Sequence, residues 1–218
     1  MLKLFKADLH IHTCYSMDCA TTLEQVVSRC VKVGIDCVAI ADHGTAVGGL
    51  ELQKIAPFKV VVAEEILTNE GEVIGLFLSH DIAGGIPAVE AIARIKEQGG
   101  LVYLPHPCDR MRESIMRNGS MYELLSSVDA VEVFNSRALP LDANRRARKL
   151  AEQHGIPGGA GSDAHTPGEI GNAWVDMPDF TDKEGFLQSL AKAQVVGKRA
   201  NPMSRLVSVR ARLASIFS

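Results

Sequence analysis

Two pairs of residues have a spacing suited to metal binding. His10 and His12 stand at positions i and i+2 in an apolar segment near the start of the chain. Because successive side chains of a strand point to opposite faces, both imidazoles are expected on one face. Asp163 and His165 repeat this spacing, with a carboxylate as one partner. Together the two pairs predict a site that binds metal ions.

Other candidate ligands follow apolar runs elsewhere in the chain, at His43, Glu65 and His106. Imidazole and carboxylate ligands suit Zn²⁺, Mn²⁺ or Fe²⁺. Seven candidates exceed the needs of one ion, so the set predicts at least two ions that share a bridging carboxylate or hydroxide. Such a pair of ions indicates hydrolysis. His80 and His154 are expected to be an ordinary loop residue and an ordinary helix residue.

The elements that must position these residues alternate regularly. Strand-like apolar runs cover residues 3–9, 36–41, 59–63, 73–78, 101–104, 129–134 and 156–161, and amphipathic helical segments separate most of them. Alternation of strands and helices implies right-handed βαβ units and a parallel sheet. We therefore expect a single-domain α/β fold, a distorted (β/α)7 TIM-like barrel, with its chemistry at the carboxyl ends of the strands.

Capping boxes mark three of the predicted helices. Thr21-x-x-Glu24, Ser120-x-x-Glu123 and Thr181-x-x-Glu184 each have the pattern in which two side chains satisfy the first backbone amides of a helix. Of the adjacent Glu64 and Glu65, only one should face the barrel mouth, because neighbouring strand residues point oppositely.

The barrel is expected to occupy residues 1–196, followed by a basic extension over 197–218. From Lys198 onward this extension has five basic residues and no acidic one, with apolar residues at helical spacing. We expect a helix that packs against the barrel or against a neighbouring subunit, which would make an oligomer. A helix that steers nucleotides or RNA, or that rests on a membrane, is the alternative.

The composition excludes several classes of protein. A formal charge of −3 is too near neutral for a general nucleic-acid-binding or membrane-binding surface. The first residues contain no signal-peptide pattern, and no long apolar segment follows, so we expect a cytoplasmic protein with no membrane partner. Five cysteines without framework spacing are expected to be reduced thiols.

Four motifs resemble those of the PHP (polymerase and histidinol phosphatase) superfamily over about residues 7–190. They are Asp8-Leu9-His10-Ile11-His12-Thr13, Ala41-Asp42-His43, Pro105-His106-Pro107 and Gly161-Ser162-Asp163-Ala164-His165. The resemblance implies a distorted (β/α)7 barrel that holds two or three divalent ions.

The resemblance also implies how the ligands are shared. One ion would lie on His10, His12, Glu65 and Asp163, a second on Glu65 and His106, and a third on Asp18, His43 and His165. Asp18 enters through the resemblance alone. Many relatives have a further histidine shortly after the bridging glutamate, whereas the matching segment here, residues 72–76, has none. His80 is the nearest histidine.

Similarity to the stand-alone PHP phosphoesterases implies a metal-dependent hydrolase of phosphate esters. The expected substrate is a small phosphorylated molecule, such as a nucleotide, a 3′,5′-bisphosphate or a short oligonucleotide, including RNA. Arg137, directly after the strand that ends at Asn135, is expected to clamp the phosphate, and Asn135 is expected to bind the substrate as well. Arg110, with Arg112, follows His106 on the adjoining loop and is expected to assist. The third ion or His43 is expected to assist the leaving oxygen. Histidinol-phosphate hydrolysis and a non-catalytic metal-binding accessory domain remain as alternatives.

Overall fold

The computed structural model describes residues 4–112, 114–116 and 118–201. Within this part of the chain, nine strands form one sheet: β1 (Phe5–Ile11), β2 (Cys37–His43), β3 (Lys59–Leu67), β4 (Glu72–Leu76), β5 (Leu101–Leu104), β6 (Ala130–Asn135), β7 (Gly158–Gly161), β8 (Ala173–Met177) and β9 (Gln194–Gly197). Their order across the sheet is β7-β6-β5-β4-β3-β2-β1-β8-β9.

Six α-helices pack around this sheet: α1 (Leu23–Val33), α2 (Val47–Gln53), α3 (Ala88–Glu97), α4 (Asn118–Leu124), α5 (Ala143–His154) and α6 (Lys183–Leu190), all within the described residues. A short 3₁₀ helix, Leu125–Ser127, follows α4. In the part of the chain described, no helix is long and apolar enough to cross a membrane.

The first seven strands curve until β1 and β7 nearly meet. The backbone amide of Asp163, just beyond β7, donates to the carbonyl of His10 at 2.7 Å. Ile11 and Ala164 also form a parallel bridge. The expected α/β barrel of seven strands is therefore confirmed, with a sheet that is nearly closed.

The pairing of the strands differs from the expected parallel pattern. β4 runs antiparallel to both β3 and β5, because a tight turn at residues 68–71 joins β3 to β4 and leaves no room for a crossover helix. The sequence analysis also missed β8 and β9, which extend the sheet antiparallel beyond β1. The first strand is Phe5–Ile11, so His10 lies inside it, whereas we predicted a strand over 3–9.

Apolar side chains fill both faces of the sheet. Inside the barrel, small residues such as Ala39, Ala41 and Ala63 pack around Leu9 and Tyr103. The outer faces of the strands pack against the helices in two further clusters. Burial on both faces explains why the strands read as continuous apolar runs.

The helix caps are displaced from the predicted positions. The first capping box uses Thr22 and Gln25, one residue later than expected. The cap of α6 is Asp182, whose carboxylate accepts the amide of Gly185 at 2.7 Å. The helix near Ser120 begins earlier, at Asn118. At α1 and α6 the capping side chain belongs to the residue after the predicted one, and the sequence pattern alone could not choose between these two neighbours.

Two further expectations concern the cysteines and the C-terminal extension. All five cysteines lie among the described residues and form no disulfide. The predicted C-terminal helix lies mostly in residues 202–218, outside the described residues.

Candidate metal centre

The eight predicted ligands meet at the carboxyl end of the barrel. They are His10, His12, Asp18, His43, Glu65, His106, Asp163 and His165. Close contacts join neighbours across the group: the Nε2 atoms of His10 and His12 are 3.1 Å apart, and Nε2 of His106 is 2.9 Å from Oε1 of Glu65. Long-range folding thus assembles residues that are 155 positions apart at the extremes.

A β-bulge in β1 aims the first histidine pair into the barrel. Between its pairings with β2 at Asp8 and Ile11, β1 has one residue more than β2. Leu9 packs in the barrel interior and Ile11 in an outer cluster, so the extra residue allows His10 to face inward next to Leu9. His12 then follows on the same face. Strict alternation would instead have placed the side chains of Asp8, His10 and His12 on one face of β1.

The glycines of β7 give His10 the room that it needs. A Cβ atom on Gly161 would collide with the side chain of His10 and with a carboxylate oxygen of Glu132. Only a residue without a side chain allows this close approach between β7 and β1.

Glu65 lies at the centre of the cluster. Its Oε2 atom is 3.4 Å from Nε2 of His10, 3.4 Å from Nε2 of His12 and 3.3 Å from Nδ1 of His43. Two ligand atoms that each lie about 2.1 Å from one ion are about 3.0 to 3.4 Å apart in octahedral or tetrahedral geometry. The contacts of Glu65 have this spacing.

Several buried atoms of the cluster lack hydrogen bonds. Within the described residues, Oε2 of Glu65, Oδ1 of Asp163, Nδ1 of His106 and Oδ1 of Asp18 have no hydrogen-bond partner. Buried polar atoms are normally paired, and such exceptions indicate a missing partner such as an ion. The donor set therefore fits divalent metal ions.

Asp163 joins the first histidine pair to the second. Its Oδ1 atom is 3.4 Å from Nε2 of His12 and 3.5 Å from Nδ1 of His165.

Asp163 has φ of 53° and His106 has φ of 28°, in a region that residues other than glycine rarely adopt. Such strain costs about 1 to 3 kcal/mol and is concentrated at functional sites.

Asp18, His43 and His165 form the outer rim of the cluster. Nε2 of His165 is 3.1 Å from Oδ2 of Asp18, and Nε2 of His43 is 3.6 Å from the same oxygen. The side chain of His43 is 21% exposed and that of Asp18 16%, whereas those of Glu65 and Asp163 are fully buried. The rim is therefore more open to solvent than Glu65 and Asp163 are.

Comparison with known proteins gives the family. The PHP domain model matches residues 8–97, and the PHP-associated model matches residues 142–195. The uncharacterized protein MJ0417 of Methanocaldococcus jannaschii is 36% identical over 196 residues, which cover 85% of this chain and 78% of that protein. The chain belongs to the PHP family. The resemblance inferred from the four motifs is thereby confirmed.

Two solved structures share the PHP fold of this chain. A protein from Bifidobacterium adolescentis has a TM-score of 0.64 at 18% identity, with 85% of this chain and 96% of that chain covered. A two-domain protein from Bacteroides vulgatus has a TM-score of 0.68 at 15% identity, with 95% of this chain and 70% of that chain covered. Both are assigned by prediction to the metal-dependent phosphoesterases.

The groups of the candidate metal centre shift one another's pKa values strongly. Burial lowers the pKa of His10, but the carboxylates of Glu132, Glu65 and Asp163 outweigh this effect and raise that pKa well above its usual value. Burial and the neighbouring His165 hold the pKa of His12 well below its usual value. Burial raises the pKa of Glu65, but His10 and other nearby imidazoles bring it well below the ordinary range. Ionised carboxylates therefore surround the ring nitrogens of His10.

The sequence analysis missed Glu132, which supports the PHP centre from β6. Its Oε1 atom is 3.1 Å from Nδ1 of His10, and its Oε2 atom accepts the backbone amide of His106 at 2.8 Å. A carboxylate on the far nitrogen of a ligating histidine fixes the orientation of that ring. The available signal was an acidic residue between the buried Val131 and Val133.

Glu72 is the second acidic residue that the sequence analysis missed. It is buried and lies within reach of Glu65 and His43. His80, by contrast, is exposed, and its ring is hydrogen-bonded to the hydroxyl of Ser79 at 2.9 Å. His80 is therefore not part of the cluster, as the sequence analysis expected.

The predicted substrate residues occupy different positions around the centre. Arg137 is buried, and its Nη1 donates to the carbonyl of Asp163 at 3.3 Å. The amide of Asn135 donates to carboxylates of Glu132 and Asp163, at 3.0 and 3.1 Å. Arg110 is exposed and lines a separate pocket between α4 and α5, away from these contacts.

Arg112 reaches the centre from the same loop as Arg110. Its guanidinium contacts the carboxylate of Asp163, and its Nε donates to Asp109 at 3.2 Å. Its side chain is only 16% exposed. Sequence reasoning could place both arginines on the loop after β5 but could not tell which one points inward.

Proposed function

We propose that this protein is a metal-dependent phosphoesterase that hydrolyses the phosphate ester of a nucleotide, a 3′,5′-bisphosphate or a short oligonucleotide. The observation that supports this function best is the buried group of imidazoles and carboxylates centred on Glu65, whose spacing fits shared ions. The PHP family membership agrees with it. Phosphate esters suit such a centre because divalent ions neutralise the charge of phosphoryl oxygens.

The residues that would hold the ions fall into three groups. The first group is His10, His12, Glu65 and Asp163, the second includes Glu65 and His106, and the third is Asp18, His43 and His165. Glu65 belongs to two groups, since its two oxygens face different imidazoles. When bound, such ions lower the pKa of water and supply a nucleophile at neutral pH.

The chain itself orients these ligands. Glu132 fixes the ring of His10, and the carbonyl of Asp163 contacts Nδ1 of His165 at 2.9 Å. The second contact leaves Nε2 of His165 directed at Asp18. Held in this way, the ligands need little reorganisation when substrate arrives.

Arginines beside Asp163 provide the cationic surface that a phosphate requires. Arg137 lies against the backbone of Asp163 and Arg112 against its side chain. A guanidinium can bind two phosphate oxygens at once, so Arg137 is proposed to hold an oxygen that does not react. These local cations allow anion binding despite the net negative charge of the chain.

The third ion or, where His43 is not bound to it, the imidazole of His43 is proposed to assist departure of the leaving oxygen at the open rim. Burial lowers its pKa, but Glu65 and Asp18 raise it to about 9, so the imidazole is protonated at neutral pH before ions bind. The exposed edge of His43 lets it face a substrate. An imidazole that is not bound to an ion can donate a proton to the leaving oxygen, whereas a third ion would neutralise the charge of that oxygen.

The test combines metal analysis with a panel of phosphate esters. The purified protein, loaded with Mn²⁺, Zn²⁺ or Fe²⁺, is assayed on nucleotides, 3′,5′-bisphosphates, short oligonucleotides and histidinol phosphate. We expect hydrolysis of a nucleotide-type ester, and loss of both metal and turnover in His10→Ala. A metal-loaded protein that hydrolyses no ester in the panel would reject the proposed activity and favour an accessory metal-binding domain.

A further inference from the structure

Glu72 faces the interior of the barrel at its mouth. It is the first residue of β4, and Ile74, two residues later, pairs with Glu65 of β3. Ile74 packs in the barrel interior, and side chains two positions apart on a strand share a face. Glu72 therefore lies on the inner face, one step nearer the mouth than Ile74.

The surroundings of Glu72 are those of a ligand. Its Oε2 atom is 3.7 Å from Nε2 of His106. Ligand atoms of His43, Glu65 and Glu72 all lie within 4.8 Å of one another. Glu72 is only 6% exposed, so its carboxylate is directed into the cluster and not into solvent.

Ser114 holds this carboxylate in place. Its hydroxyl donates to Oε2 of Glu72 at 2.7 Å, and its carbonyl accepts the backbone amide of Glu72 at 2.9 Å. A ligand carboxylate is commonly oriented by a hydrogen bond of this kind from a neighbouring group.

Two carboxylates buried side by side need positive charge. Burying an ionised carboxylate is costly unless a cation or hydrogen bonds compensate for the lost water. Oε1 of Glu65 and Oε2 of Glu72 both approach the same ring atom, Nε2 of His106, at 2.9 and 3.7 Å. A divalent ion between Glu65, Glu72 and His106 would satisfy both carboxylates.

We propose that Glu72 is a metal ligand and that Glu65, Glu72 and His106 together bind the second ion. The inference rests on the metal-dependent function proposed above and gives this position a third protein ligand, in the segment where sequence analysis found no histidine. Two carboxylates with one imidazole form a harder site than two imidazoles with one carboxylate. The position should therefore favour Mn²⁺ or Fe²⁺ over Zn²⁺.

The experiment measures metal binding directly. Wild type, Glu72→Gln and Glu72→His are titrated with Mn²⁺ by electron paramagnetic resonance and with Mn²⁺ and Zn²⁺ separately by calorimetry, and bound metal per chain is measured by elemental analysis. We expect Glu72→Gln to bind one Mn²⁺ ion fewer per chain, or to bind that ion at least about 10-fold more weakly. We expect Glu72→His to retain the ion but to shift its preference toward Zn²⁺.

Glu64→Gln is the matched control, because Glu64 is an equally buried glutamate on the opposite face of β3. It should bind metal as wild type does, and circular dichroism should show the same fold in all variants. If Glu72→Gln does not fold, Glu72→His alone decides through its metal preference.

The outcomes separate this inference from the proposed function. Unchanged Mn²⁺ stoichiometry and affinity in Glu72→Gln, or an unchanged metal preference in Glu72→His, would overturn the inference even in an active enzyme. A wild type that binds no metal would overturn both proposals. Loss of one ion in Glu72→Gln, together with no hydrolysis by the metal-loaded wild type, would support Glu72 as a ligand and reject the phosphoesterase.

Discussion

Glu64 and Glu65 are adjacent, equally buried and of the same type, yet their environments are opposite. Glu64 points outward from the barrel, where its Oε2 accepts the backbone amide of Ile82 at 2.8 Å. Burial raises its pKa to about 7. Glu65 points inward, where nearby imidazoles bring its pKa well below the usual range despite burial.

Asp8 and Asp163 show the same contrast on other strands. Asp8 accepts backbone amides of Ser162 and Gly171 at 2.8 and 3.1 Å, and burial raises its pKa to about 7. Burial also raises the pKa of Asp163, but Arg112 and His10 bring it well below its usual value. Burial alone therefore does not identify the functional carboxylates. Their partners do: Glu64 and Asp8 accept backbone amides, whereas Glu65 faces imidazoles and Asp163 faces imidazoles and an arginine.

The largest expected effect is that of Glu65→Gln. The change removes the charge shared by two groups of ligands, so we expect loss of bound metal and a decrease in turnover of at least about 1000-fold. Metal analysis and phosphate release measure the two effects. Glu64→Gln, which alters the same side chain one position earlier, should retain metal and turnover. Equal losses in both variants would contradict the distinction between the two faces.

Glu132→Gln should have a smaller effect on the inner face. The ring of His10 would keep its place in the chain but lose the anionic partner that orients it. Changes of this kind typically weaken metal affinity by about 10-fold to 100-fold. Calorimetric titration with Zn²⁺ would measure the change. An affinity equal to that of wild type would show that Glu132 is not needed to orient His10.

Substitutions of Arg137 and Arg110 should have different effects on kcat/KM, because the two side chains lie in different places. Arg137→Lys loses the planar fork that can bind two phosphate oxygens, so we expect about a 10-fold to 100-fold decrease in kcat/KM. Steady-state kinetics on the preferred ester would measure it. Arg110→Lys should change this constant by less than about twofold, because Arg110 lines a separate pocket. A comparable decrease in both variants would place the substrate on the loop after β5 as well.

The smallest expected effect is a change in the free energy of unfolding, and it concerns Glu64 on the outer face of β3. The folded-state pKa of Glu64, about 7, exceeds the ordinary value of 4.5, so the folded protein holds this proton more tightly than the unfolded chain. The contribution of Glu64 to the free energy of unfolding is fully present below about pH 4.5 and is lost as pH rises through about 7. The loss amounts to at most about 3 kcal/mol. Urea unfolding should show Glu64→Gln gaining stability relative to wild type between pH 5 and pH 8. A constant difference across this range would exclude an elevated pKa for Glu64.

Several features of this protein could be predicted from sequence because they depend on local patterns. Continuous apolar runs indicate strands covered on both faces, and their alternation with helices predicted the barrel. The i, i+2 spacing of His10 and His12 indicated a shared face, and the motifs around Asp163 and His43 indicated the family. These conclusions need only the period of a strand and the residue types at its end.

Other features depend on contacts between distant segments. The bulge that turns His10 inward follows from the pairing of β1 with β2, and the antiparallel β4 places Glu72 beside Glu65. A side chain's direction also depends on loop packing, which separates Arg112 from Arg110. The sequence by itself determined the barrel, the family and the residue types of the candidate metal centre. Only the tertiary structure decided which carboxylates face the imidazoles, because that depends on strand register and on the partners that each buried charge finds.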